Sequence, residues 1–477
     1  MPITDDAALA PATELAERLR NGDLSPVELV DGLLAQIERR NPTLNAYVLV
    51  LAEQARAQAR DSEERIRRGE ARALEGVPVA IKDNVHLRGT LMTLGSNAVP
   101  DRVSQVDSAV VARLRGAGAV FLGKTNLPEL GTLPSTENKR FGQTRNPWDT
   151  SRTAGGSSGG AAAAVAAGLA AAAHGNDAGG SLRIPSACTG LFTIKPTRGR
   201  ISHAPGGESA FGMNVEGFIT RTVRDNAVLL DIAAGAEPGD PFTAPAPPRP
   251  FADEVGAPPG RLRIGFTASP PLDVPVDAAA VRALHDAAAL CEELGHHVEE
   301  FTPPWRDDSL FELFNVIWAA YFGTKAEEAI EAGGDVAQLE PLNRALWEAG
   351  RQITALQYWR ASQKMEAVVR GIVSAEQPYD VLLTPALATA PLPLGALFRG
   401  VENDPTAPLL NSALFTPFTM PVNLAGQPAA NLPLFEDAGL PLCVQAIAHV
   451  GGEPTLIRLA SQLEQARPWS DRRPPLT

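Results

Sequence analysis

The sequence predicts an α/β fold in which a mixed, twisted sheet is buried between helices, and three observations point there. Short apolar runs bounded by turn residues recur along the chain, among them Val77-Pro78-Val79-Ala80-Ile81 and Ala119-Val120-Phe121-Leu122-Gly123. Continuous rather than alternating apolarity marks strands covered on both faces. Segments of helical period fall between such runs, Ser108 to Gly116 being one. Hydrophobic residues make up 44% of the 477, which allows a large core and argues against wholesale disorder.

The chain opens with helices. Ser25-Pro26-Val27-Glu28 reads as a capping box with proline at the first helical position. Leu29, Leu33, Leu34 and Ile37 follow at helical spacing, and Asn41-Pro42 is expected to stop that helix. Another helix runs from Ala52 to Arg68, so residues 1–68 form a helical segment packed on a main domain of residues 69–470. Ala161 to Gly168 reads as a close-packed helix placed directly after a glycine–serine run. Prolines from Pro238 to Pro259 stiffen a connection over residues 235–260.

Leu262 to Phe266 restarts a strand, and Asp277 to Leu294 makes an amphipathic helix ended by Gly295. His296-His297 at the following turn is expected at the surface. Residues 307–373 are helical and rich in aromatic side chains, the composition of a lid over a pocket. Val381 to Leu383 is a further strand, and Pro421 to Ala448 returns to strands and turns.

Composition narrows the partners. With 42 basic and 55 acidic residues the net charge is −13, which speaks against nucleic acid or an anionic membrane. The three cysteines, Cys188, Cys291 and Cys443, are too widely spaced for a disulfide framework or a C-x-x-C metal site, and a reducing cytoplasmic setting is expected. The acidic amino terminus lacks the basic and apolar regions of a signal peptide. The apolar run Ala161 to Ala173 is too short to span a bilayer.

Three segments carry the chemistry: Gly155-Gly156-Ser157-Ser158-Gly159-Gly160, Asp177-Ala178-Gly179-Gly180-Ser181-Leu182-Arg183, and Lys82 within Val79-Ala80-Ile81-Lys82-Asp83-Asn84. Glycines let backbone N–H groups approach a substrate carbonyl. Two serines can supply a nucleophile and a proton relay, and a lysine can serve as base once burial lowers its pKa. Such a hydrolase needs no histidine. A Walker A loop is excluded because no lysine follows the glycines, and the apolar helix that follows argues against a linker. Gly155 to Gly159 also matches the G-x-S-x-G elbow of an α/β-hydrolase-like esterase, with Ser157 as nucleophile and His449 as base; that reading leaves the Lys82 and Ser181 segments unexplained.

Together with Gly123 to Asn126, Asn146 to Arg152, Leu191 to Thr197, Thr220 to Asp225 and Pro421 to Pro428, these segments resemble the amidase signature family over residues 20–465. The resemblance implies a catalytic domain with helices on both faces of a central mixed sheet. It implies Ser181 as nucleophile, Ser157 as bridging serine after a cis Gly156–Ser157 peptide, and Lys82 as base. It also implies an oxyanion hole made of the backbone N–H groups of Ala178, Gly179, Gly180 and Ser181. Asp177 and Arg183 are expected to hold the nucleophile's loop or to form a plain structural salt bridge, with Ser158 and Gly156 supporting the same region. Asn176, Ala178, Ala154 and His174 depart from the family pattern, and residues 174–178 are expected to border the acyl pocket. Cys188 is expected to pack rather than react.

The implied activity is hydrolysis of amide C–N bonds through an acyl-enzyme, by a free-standing amidase or aryl-acylamidase near the cyclic nylon-oligomer hydrolases, with carbamates and esters in reach. The rival is the amidase-type component of a tRNA-dependent glutamine amidotransferase, its A subunit, from whose pattern residues 197–207 depart. The expected pocket is apolar and lined by Gly131, Thr132, Leu133, Phe314, Trp318, Tyr321 and Phe415. No metal or cofactor is expected. The only expected partner is a small-molecule amide or carbamate, with the chain a monomer or homodimer.

Overall fold

The computed structural model describes residues 8–207, 210–306 and 309–475. Eleven strands form one sheet: β1 (Tyr47–Val50), β2 (Pro78–Lys82), β3 (Val120–Thr125), β4 (Ala172–Asp177), β5 (Phe192–Lys195), β6 (Val215–Thr220), β7 (Arg263–Phe266), β8 (His297–Glu300), β9 (Val381–Pro385), β10 (Ala429–Asp437) and β11 (Leu440–Ala448). Their order is β1-β3-β2-β4-β6-β5-β10-β11-β9-β7-β8. Two parallel groups, β3-β2-β4 and β9-β7-β8, are joined through an antiparallel middle. Every residue of β2, β3 and β4 is buried, including the polar His174, Asn176 and Asp177 of β4, whereas the edge strand β8 is largely open.

The amino-terminal helices are α1 (Ala12–Asn21), α2 (Pro26–Leu44) and α3 (Ala52–Arg67). The Ser25 hydroxyl caps α2, accepting from the N–H groups of Val27 and Glu28 at 3.2 and 3.3 Å. This helix does not stop at Asn41. Pro42 falls within its last turn and removes one bond, to the Glu38 carbonyl, and the N–H of left-handed Asn45 closes the end on the Asn41 carbonyl at 2.7 Å. Leu15, Leu19, Leu33 and Ile37 share one core with Val79, Ile81 and Phe121 of the sheet. The segment also supplies edge strand β1, and the Ala12 and Thr13 N–H groups donate to the Asp225 carboxylate, each at 2.9 Å.

Helices α4 (Gly159–Ala166) and α5 (Arg183–Thr189) flank the glycine-rich segments. The aromatic region forms α6 (Ser309–Glu331), α7 (Pro341–Gly350) and α8 (Ala355–Glu376), with a core of its own around Leu313, Trp318, Phe322, Leu346 and Met365; residues 307 and 308 lie outside the described residues. Helices α9 (Ala407–Phe415) and α10 (Met420–Ala425) precede the β10–β11 hairpin, so the stretch from Pro421 opens helically rather than in strands and turns. His296 is buried, not at the surface: its Nδ1 accepts from the Leu262 N–H at 3.2 Å and its Nε2 faces Gln462 Oε1 at 2.8 Å. His297 is the exposed one.

Candidate active site

Parallel neighbours β2 and β4 end side by side, and their carboxyl ends deliver Lys82, Asn176 and Asp177 to one place. Ser157 approaches from the loop before α4, and Ser181 from the loop between β4 and α5. The Gly156–Ser157 peptide is cis, as the family resemblance implies. A Cβ at Gly156 would lie 2.7 Å from both the Leu133 carbonyl oxygen and the Ser135 nitrogen, so only glycine lets the loop close there.

Lys82 is fully buried, with Nζ 2.7 Å from Ser157 Oγ and 2.6 Å from Asn176 Oδ1. Burial pulls its pKa from 10.5 down to about 7, against the opposing charges of Glu216 and Asp177. A neutral amine here has an N–H for Asn176 and a lone pair for the Ser157 hydroxyl. Lys195 makes an instructive contrast. Burial and the neighbouring Arg183 charge also push it down to about 7, but its Nζ is bound to the Pro196 carbonyl at 2.8 Å, and no serine hydroxyl among the described residues is bonded to it. A shifted pKa makes a base only where a proton donor is in reach.

Asp177 and Arg183 hold the loop and form a salt bridge at once. The Asp177 carboxylate meets Arg183 Nη2 at 2.9 Å and Nε at 3.0 Å, and it accepts from the N–H groups of Gly180, Leu182 and Arg183 at 2.7, 3.1 and 3.4 Å. Although burial opposes ionisation, the Arg183 charge and its hydrogen bonds hold this carboxyl well below its usual range. Arg183 continues to Gln445 Oε1 at 2.6 Å and Asn423 Oδ1 at 2.5 Å, tying the loop to β11 and α10.

This corrects one expectation. The Gly180 N–H is committed to Asp177, so the amides free of a protein acceptor among the described residues are those of Ala178, Gly179 and Ser181. Thr419 fixes the same loop by donating to the Gly179 carbonyl at 2.6 Å, and Ser158 donates to the Asn176 carbonyl at 3.3 Å. The Ser181 hydroxyl faces a cavity and, among the described residues, has no hydrogen-bond partner; its link to Ser157 is not formed in this structure. Ser157 is bonded to Lys82 rather than to His449 or any other described histidine, which removes the esterase-elbow reading. Cys188 is buried and its thiol is pushed up by burial and by Cys443, so it packs.

The cavity beside Ser181 has a volume of about 670 Å³, part of it open to solvent. Thr132, Leu133, Phe314 and Trp318 line it as expected. Tyr321 does not; it packs edge-on against Phe322 at 4.8 Å. Phe415 is buried beneath α5 with Ile184 and Cys188, and Gly131 sits behind Ser157, where a Cβ would be 3.6 Å from its Oγ. His174 is wholly buried off the cavity, bound to Glu216. Asn315, Leu272, Leu409 and Met420 join the lining from separate elements, and no local pattern in the sequence marks them. Asn176 was also outside the expected set of functional side chains, although its departure from the family's usual threonine was a visible signal.

No helix among the described residues is long and apolar enough to cross a membrane. The family model described as Amidase matches residues 28–457. The chain belongs to the amidase signature family of amide hydrolases. AmiB2 of Mycobacterium tuberculosis, itself only provisionally named an amidase, is 40% identical over 98% of each chain. The 6-aminohexanoate-cyclic-dimer hydrolase of Pseudomonas sp. is 36% identical over 98% of this chain and 96% of its own. A solved structure of a 6-aminohexanoate cyclic dimer hydrolase superposes with a TM-score of 0.91 at 35% identity, covering 98% of this chain and 99% of that one. The corresponding component of the glutamyl-tRNA(Gln) amidotransferase of Prochlorococcus marinus is 37% identical over 95% of this chain and 96% of its own. This amidase also matches the fold expected of it, a large mixed sheet flanked by helices.

Proposed function

We propose that the chain is a free-standing amidase that cleaves a C–N bond through an acyl-enzyme on Ser181, with Ser157 as proton relay and Lys82 as base. The observation that carries this reading is the buried Lys82 amine 2.7 Å from the Ser157 hydroxyl, beside the Ser181 loop, where the Ala178, Gly179 and Ser181 amides have no acceptor among the described residues. Neutral Lys82 takes the Ser157 proton as Ser157 takes the Ser181 proton, and Ser181 Oγ attacks the carbonyl carbon. The resulting oxyanion meets the N–H groups of Ala178, Gly179 and Ser181, donors worth about 3–4 kcal/mol each in comparable sites. As the C–N bond breaks, the relay returns the proton to the departing amine. Water, deprotonated along the same route, then frees the acid and restores Ser181.

The cavity wall selects the substrate. Thr132, Ser412 and Thr416 turn their hydroxyls to the protein, donating to Asn343 Oδ1, the Pro408 carbonyl and the Ser412 carbonyl at 2.6, 2.6 and 3.0 Å. Asn315 lines the cavity, and its buried Oδ1 has no partner among the described residues. Against an apolar wall it favours an amide with an alkyl or aryl body that carries one further N–H or O–H donor, such as a second amide. Among the described residues no charged side chain lines the cavity to pair with the ammonium and carboxylate of free glutamine, which speaks against the amidotransferase reading. A carbamate offers the same carbonyl to the same groups.

The test is a panel run on the isolated chain: p-nitroacetanilide, 6-aminohexanoate cyclic dimer, an aryl carbamate and glutamine. Amine release from the apolar amides, absent in Ser181→Ala, is expected. Turnover of glutamine alone would overturn the reading.

A further inference from the structure

Behind Lys82 lies a buried charge cluster that the proton relay does not use. Glu216 on β6 is the cross-strand partner of Asn176, the residue whose Oδ1 accepts from Lys82. One Glu216 oxygen is 2.7 Å from His174 Nε2 and the other 3.0 Å from His203 Nδ1. His203 Nε2 is in turn 2.9 Å from the Asn214 carbonyl.

The partners fix the protons. Both ring nitrogens of His203 face groups that only accept, so beside an ionised Glu216 this ring carries two protons. His174 Nδ1 is buried without a partner, which leaves that ring a single donor through Nε2. Burial opposes the ionisation of Glu216, but hydrogen bonds from the two histidines hold its carboxyl well below the usual range. Burial likewise opposes charge on His203, and Glu216 and Asp240 outweigh it, so its pKa is raised. The other charges around this group are Lys82 itself, Asp177, which is paired with Arg183, and Arg198, which lines one pocket with His203 and Asp240. His203 is the solvent-facing member, with 22% of its side chain exposed against 6% for Glu216 and none for His174.

We propose that Glu216, clamped between His174 and His203, is a positioning residue that sets the pH at which Lys82 becomes a base: its carboxylate favours the ammonium form of Lys82, and the His203 imidazolium offsets that field. The proposal rests on Lys82 acting as base. Removing the carboxylate therefore makes Lys82 easier to deprotonate, and removing the imidazolium makes it harder. A purely structural role would not give opposite signs.

The experiment follows inactivation of the full chain by phenylmethylsulfonyl fluoride across pH 5–10, a readout of Ser181 reactivity that needs no amide substrate. In Glu216→Gln the midpoint of the rise should move to lower pH by about half a unit or more, a roughly threefold fall in proton affinity. In His203→Gln it should move to higher pH. Midpoints that stay put, or that move in the same direction, overturn the proposal. If Glu216→Gln does not fold by circular dichroism, the half-buried His203 site decides alone, an unmoved or lowered midpoint being fatal. A chain that reacts with the reagent but hydrolyses no amide refutes the amidase reading and leaves this test valid; a chain inert to the reagent at every pH overturns both.

Discussion

Lys82 must be neutral to work, so pH is the sharpest perturbation. Its amine is fully buried and titrates near pH 7 rather than 10.5. Activity should rise through pH 7 to a plateau; at pH 6 about a tenth of the molecules hold the neutral amine, and at pH 5 about one in a hundred. The same burial has a thermodynamic side. The fall from 10.5 to about 7 corresponds to about 5 kcal/mol, at about 1.4 kcal/mol per pH unit.

Between pH 7 and 10.5 the native state binds fewer protons than the unfolded chain, so this residue makes stability rise with pH across that window. Below pH 7 both states are protonated, and the native state carries the whole cost of a buried ammonium. Lys82→Met removes that cost but leaves Asn176 Oδ1 without its donor, a loss of about 1–3 kcal/mol. The variant should be inactive, yet melt above wild type at pH 6 and at or below it near pH 10. Rate constants and melting temperatures measured from pH 5 to 10 test both statements. A flat rate profile from pH 5 to 9, or a melting difference that does not change with pH, would refute the buried neutral base.

Three further perturbations probe the loop and the cavity. Gly180 has φ of +129°, and a Cβ there would lie 2.5 Å from Ile184 Cδ1 and 2.6 Å from Thr419 Oγ1. Gly180→Val should therefore displace the neighbouring amides and lower kcat by about a hundredfold or more, with circular dichroism unchanged. Asp177→Ala leaves Arg183 buried without its carboxylate and three backbone N–H groups without an acceptor; urea denaturation should show a loss of about 3–5 kcal/mol. Asn315→Leu should lower kcat/KM about tenfold or more for an amide bearing a second N–H, and leave its methylene analogue unaffected. Equal effects on the two substrates would remove Asn315 from recognition.

Lys82, Ser157 and Ser181 were legible because their demands are local. A loop that must fold back against Leu133 and Ser135 needs Gly156, and a left-handed turn before a nucleophile needs Gly180; both requirements appear as contiguous glycines. Strands β2, β3 and β9 were legible for the same reason, since cover on both faces leaves a continuous apolar run, whereas β4, interrupted by His174, Asn176 and Asp177, was not. Pro42 does not end its helix because it costs a single bond near the terminus, and only two residues, Thr43 and Leu44, follow it before the Asn45 cap.

Spatial neighbours decided the rest. Asn176 reaches Lys82 from the neighbouring strand, and Glu216 stands beside Asn176 only through the β4–β6 register, residues 177–215 being folded between them. The loss of the Gly180 amide to Asp177, and the turning of Tyr321 and Phe415 away from the cavity while Asn315 faces it, depend on how separate elements pack. Residue types and backbone needs are properties of short segments, so the sequence alone determined the family, several of the buried strands and the segments that bring Lys82, Ser157 and Ser181. Burial, protonation and orientation are set by atoms contributed from distant parts of the chain, so only the tertiary structure decided which amides are free, which charges surround Lys82 and which side chains line the cavity.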